Sequence, residues 1–173
     1  DRSPSRGLGD VYKRQNLKLA SGLARVQGML KAGIPVSLGT DGACSNNSLD
    51  MFETMKLAAI LAKGCTGDAT AVPAMKALGM ATVEGARIFR TPGLGTLAPG
   101  APADMIALDL DEPNLFPIFN EVSHAVYAAS GKDCVFTMVD GRVLYDDGSY
   151  TDGLYADTAA EMQDLVEWAK GKE

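Results

Sequence analysis

Residues 36–42 read VSLGTDG, an apolar run from Val36 to Leu38 that ends in a carboxylate, Asp41, flanked by Gly39 and Gly42. With Ile34 and Pro35 ahead of it the run is short and partly β-branched, the form of a strand buried on both faces of a parallel sheet. An aspartate at the end of such a strand has two readings. Asp-Gly is a turn signal that needs no partner elsewhere. A carboxylate that ligates a metal or accepts a proton needs other groups around it.

On the amino-terminal side, NLKLASGLARVQGMLKAG (16–33) sets Leu23, Val26, Met29 and Leu30 at helical spacing, with Gly33 as a stop. After the strand comes a polar loop, TDGACSNNS (40–48), and then LDMFETMKLAAILAK (49–63), the clearest helix in the chain. Met51, Met55, Ala58 and Ala62 share one side of it, with Phe52 and Ala59 beside them. The methionines read as core filler. Asp50 and Glu53 have capping-box spacing, and Ser48 is an alternative cap. A helix-strand-loop-helix order belongs to α/β architecture, where polar residues just past a strand's carboxyl end face the site. Asp41 holds that position.

Farther along, VPAMKALGMATVEGARIF (72–89) predicts one or two helices, with Pro73 tolerated in a first turn and Thr82 as a cap. From Thr91 to Tyr150 glycine and proline become frequent around short β-type runs, MIALDL (105–110), VFTMV (135–139) and RVLY (142–145). Asp140-Gly141 between the last two is a hairpin signal, so a small β module is expected here. The tail TAAEMQDLVEWAKGKE (158–173) reads as a surface helix with Met162, Leu165, Val166 and Ala169 on its packing stripe. Residues 1–15, DRSPSRGLGDVYKRQ, have neither helical nor strand periodicity and read as a non-native extension, translated adapter sequence standing outside the fold.

Composition narrows the function. A chain of 173 residues, 46% hydrophobic and 22% charged, is that of an ordinary globular protein. Its net charge of -6 offers no broad cationic surface for phosphates, which argues against nucleic acid as a partner. No apolar run approaches the roughly 20 residues that cross a bilayer, and the expected location is cytoplasmic. Cys44, Cys65 and Cys134 are widely spaced with no C-x-x-C, so reduced thiols are expected. His124 is the single histidine, too few for a zinc site built from this chain alone.

Two stretches in order carry a resemblance. GLGTLAPGAPADMIALDLD (93–111) fits the pattern G-x-L-x-x-G-x-x-A-D, then an apolar strand and an aspartate, with Gly95, Leu97, Gly100, Ala103, Asp104 and Asp109 in register. It resembles the small β-sandwich domain of the amidohydrolase superfamily. LGTDGACSNNSLDMFETMKLAAILAK (38–63) resembles the eighth strand, loop and helix of that superfamily's (β/α)8 barrel. Its SNN-x-LDMFE form is most similar to the deaminases acting on 5-methylthioadenosine and S-adenosylhomocysteine. The implied fold is α/β: residues 16–91 as the carboxyl-terminal part of a TIM-like barrel, 92–150 as part of a small β-sandwich domain, and 151–173 as a helical tail. Where family members carry Pro and Ser before the NLKLASG segment, this chain has Lys13, Arg14 and Gln15.

The resemblance also implies chemistry. Members hold one divalent ion, zinc or iron, with an H-x-H pair, further histidines and the aspartate ending strand 8, which Asp41 matches. That aspartate contacts the metal and takes a proton from its water; Asp41 is thus the expected metal ligand and catalytic residue. Gly39 and Gly42 are expected to let the backbone turn sharply there. Ser45 is the candidate for touching substrate, although Ser45, Asn46 and Asn47 can equally cap the next helix. The histidine pair, the remaining ligands and the catalytic glutamate have no counterparts in this sequence, so the chain alone is expected to be inactive. His124 falls where the family has no ligand and reads as structural; Asp104 and Asp109 read as turn and strand-end residues. The implied substrate is a small purine nucleoside derivative, with no nucleic acid or membrane partner, and a homo-oligomer is compatible with it. Alternatives are another purine, a pyrimidine or a triazine, as in guanine and cytosine deaminases and chlorohydrolases, or a non-catalytic scaffold that pairs with another chain.

Overall fold

A computed structural model of the chain describes residues 9–10, 18, 20, 22–151 and 153–171. They form two compact units, residues 1–101 with 109–133, and residues 102–108 with 134–173.

The first unit contains the buried core. Strand β1 (Gly9–Asp10) pairs in parallel with β2 (Val36–Ser37), and helix α1 (Val26–Lys31) precedes β2. Gly9 and Asp10 lie inside the segment expected to stand outside the fold. Strand pairing is made by backbone groups, so it asks for no side-chain pattern of the kind that 1–15 lacks. Helix α1 is six residues long, shorter than its periodicity suggested, and ends with Gly33 at φ 72, the left-handed stop expected of it.

Helix α2 (Ala43–Asn46) is a single turn inside the polar loop, and α3 (Met51–Thr66) is the long helix that follows. Asp50, not Ser48, caps α3: its side chain accepts from the amides of Phe52 and Glu53, while Ser48 Oγ accepts from the Asp50 amide. Phe52, Met55, Ala58, Ala59 and Ala62 are buried along the expected stripe. Helices α4 (Ala74–Ala81) and α5 (Val83–Ile88) divide at Thr82. Pro73 stands at the cap position of α4, where its missing N–H costs nothing. Thr82 makes no side-chain cap; its hydroxyl donates back to the Leu78 carbonyl at 2.8 Å.

The sequence reading of 92–150 as one β module is corrected by α6 (Glu121–Tyr127), which packs against α3 and α4 with Val126 fully buried. Segment 109–133 therefore belongs with the first unit. Glycine- and proline-rich flanks obscured a seven-residue helix whose stability comes from tertiary burial, since a helix that short is not stable by itself.

The second unit is an antiparallel sheet in the order β3-β4-β5-β6, from β3 (Met105–Leu108), β4 (Cys134–Val139), β5 (Arg142–Asp146) and β6 (Ser149–Tyr150). Asp140 (φ 50) and Gly141 (φ 75) form the expected two-residue turn between β4 and β5. Asp104 Oδ1 receives the Asp140 amide at 2.7 Å and so pins that turn. Helix α7 (Leu154–Lys170) begins four residues earlier than the expected tail segment, and Tyr155 stacks on Tyr150 with ring centroids 4.9 Å apart. Its expected packing stripe, Met162, Leu165 and Val166, is solvent-exposed.

Candidate functional site

Strand β2 delivers the site loop. Val36 is fully buried, β2 is paired along β1, and the Leu38 amide donates to the Met80 carbonyl at the end of α4, 2.9 Å away. Past that bond the chain turns outward.

Asp41 lies at the carboxyl end of this strand segment and is exposed. Its backbone is left-handed (φ 60), which aspartate tolerates better than most residues. Its Oδ1 accepts the Gly42 amide at 2.8 Å, and its carbonyl accepts the Thr40 hydroxyl at 3.2 Å. The sharp turn expected of Gly39 and Gly42 is thus made by Asp41 itself. Gly42 has φ -72 and serves as the cap position of α2. The local carboxylate–amide bond compensates part of the strain of a left-handed aspartate.

Ser45 sits in α2 in the same loop, half-buried, its hydroxyl donating to the Gly42 carbonyl at 3.1 Å. Neither Ser45 nor its asparagine neighbours cap α3. Asn46, although part of the polar loop, is only 3% exposed, and its Nδ2 donates to the Ser48 carbonyl at 2.7 Å. Nothing in the residue pattern marks that burial, beyond an SNN triplet ahead of a helix.

His124 has both ring nitrogens against backbone carbonyls, Nδ1 at 2.9 Å from Asn120 O and Nε2 at 3.1 Å from Pro117 O, which leaves neither nitrogen for a metal. Among the described residues no three His, Cys, Asp or Glu side chains converge on a metal-holding geometry. Asp41 fits as one ligand, being an exposed carboxylate at a strand end. A three- or four-ligand site needs donors from outside the described residues. No helix among them is long and apolar enough to cross a membrane.

Residues 7–144 match the Amidohydrolase family, and the chain belongs to it. It is similar to a 5-methylthioadenosine/S-adenosylhomocysteine deaminase of Nitratidesulfovibrio vulgaris, 52% identical over 157 residues, which are 91% of this chain and 36% of that protein. A 5'-deoxyadenosine deaminase of Methanosarcina acetivorans is 53% identical over 131 residues, 76% of this chain and 30% of that protein. Among solved structures, an adenosine deaminase from Xanthomonas campestris with bound zinc superposes with a TM-score of 0.84 at 34% identity, covering 91% of this chain and 35% of the other. The chain therefore spans about a third of the length of these relatives. The mixed α/β architecture is the family's fold class.

Proposed function

We propose that this chain is the carboxyl-terminal part of a metal-dependent aminohydrolase that deaminates 5-methylthioadenosine, S-adenosylhomocysteine or a related adenosine derivative. One observation carries the reading: the carboxylate that the family pattern singles out stands exposed past a strand anchored by the buried Val36, in a left-handed backbone conformation with its own side chain bonded to the next amide. When bound, a zinc or iron ion would supply a water made far more acidic than bulk water. Asp41 would give that ion one ligand oxygen, and its carboxylate would accept a proton and return it to the departing amine. The overall change adds water across the C–N bond and releases ammonia. Ser45, near the loop's outer turn, contributes to substrate binding.

The two relatives' names share adenosine and differ at the 5' position. A second reading, in which the 5' substituent is small as in 5'-deoxyadenosine, rests on the 53% identity to the Methanosarcina acetivorans protein. The test is ammonia release by the complete reading frame containing this chain, loaded with zinc or iron, over a panel of 5'-modified adenosines, guanine, cytosine and a triazine. Turnover restricted to the adenosines supports the proposal. Turnover only of another ring, or none with any metal, overturns it.

A further inference from the structure

The geometry points to Asn46 and Asp50 as positioning residues that brace the loop carrying Asp41, an inference that rests on the metal-ligand reading of Asp41. The loop must be solvent-facing to meet a ligand: Asp41, Gly42, Ala43 and Cys44 are all exposed. Bonds at both ends of this loop add to those that Asp41 makes within it. At the start, Leu38 is tied to Met80. The far end is held by an unbroken series of bonds. Asn46, buried, donates from Nδ2 to the Ser48 carbonyl at 2.7 Å; Ser48 Oγ accepts the Asp50 amide at 3.2 Å. Asp50 Oδ1 then accepts the amides of Phe52 (2.8 Å) and Glu53 (3.4 Å), and its other oxygen, Oδ2, accepts the Gly131 amide at 2.9 Å. One carboxylate thus joins the start of α3 to a segment 81 positions away. Asn47 takes the left-handed turn (φ 62) that lets Asn46 point inward, and its side chain accepts from Lys18. The SNN-x-LD pattern is therefore a mechanical element. It sets where the loop that carries Asp41 leaves the body of the unit.

Misplacement of a ligand by about 1 Å costs up to a hundredfold in rate, so loss of the brace is expected to lower metal retention and kcat together while leaving KM nearly unchanged. The experiment uses the complete zinc-loaded enzyme with four substitutions: Asn46→Leu, Asp50→Ser, Asp41→Asn and Lys63→Met. Asp50→Ser keeps a helix cap but is too short to reach Gly131, and it carries the test if Asn46→Leu does not fold. Zinc release to a chromogenic chelator, amide exchange over residues 41–47, and kcat and KM are measured. Roughly tenfold faster zinc release and faster exchange in Asn46→Leu and Asp50→Ser, with Lys63→Met destabilised but releasing zinc at the parent rate, is the expected result. Parent-like release in both brace variants, while Asp41→Asn loses zinc, overturns the brace. Retained zinc and turnover in Asp41→Asn instead overturns the underlying ligand reading.

Discussion

Gly95 lies so close to the Thr82–Val83 peptide that a Cβ built on it stands 2.9 Å from the Thr82 carbonyl carbon. Gly95 is also left-handed, φ 79, whereas Gly100 of the same motif, φ 84, has nothing within 4 Å of its Cβ position. Left-handed geometry alone costs a side chain about 1–2 kcal/mol. Gly100→Ala is therefore expected to lose about that much and Gly95→Ala distinctly more, because backbone cannot yield as a side chain would. Urea midpoints of the two variants check this; equal losses would show that the close approach relaxes freely.

Lys63 joins three elements through one ammonium. Its Nζ donates to the carbonyls of Ala71 and Val72 and to the Tyr127 hydroxyl, each at 2.9 Å, and to Ala59 at 3.3 Å. Val72 is left-handed at φ 43, so the cation also holds a strained turn. Hydrogen bonds to charged groups are worth about 1.5–3 kcal/mol each at most, and they are not additive. Lys63→Met is expected to cost about 2–3 kcal/mol and Tyr127→Phe about 1 kcal/mol. Thermal unfolding of both variants measures the order, which reverses if the tyrosine hydroxyl is the chief partner.

Asp68 accepts the Thr70 hydroxyl at 2.6 Å and the Thr70 amide at 2.8 Å, and these bonds hold its carboxyl below the ordinary value of 3.8. A depressed folded value means that its contribution to stability is complete above 3.8 and is lost as pH falls through the lower folded value. A carbon-detected titration should place the Asp68 midpoint below 3.8, and Thr70→Ala should move it upward. A midpoint at or above 3.8 in the parent chain contradicts the assignment.

Ser45→Ala separates a binding role from a loop role. In the complete enzyme a hydroxyl that touches substrate gives a several-fold rise in KM, about 1 kcal/mol, with kcat nearly held. Identical kinetics on every purine tested, with a lower melting temperature, would assign the hydroxyl to its Gly42 bond alone.

Much of this protein was determined within short reach along the chain. The buried stripe of α3 follows from a 3.6-residue repeat, the β4–β5 turn from Asp140-Gly141, and the stop of α1 from Gly33, because periodicity and local sterics act over a few residues. The place of Asp41 at a strand end was legible for the same reason. Its left-handed backbone was not, since the sequence offered two neighbouring glycines and the aspartate took the strained position itself, compensated by its bond to Gly42. Three other features were decided only by tertiary structure: helix α6 packed against α3 and α4, the burial of Asn46, and the second oxygen of Asp50 spent on Gly131. Each depends on which distant backbone arrives beside the residue, and a contact 81 positions away leaves no periodic or compositional trace.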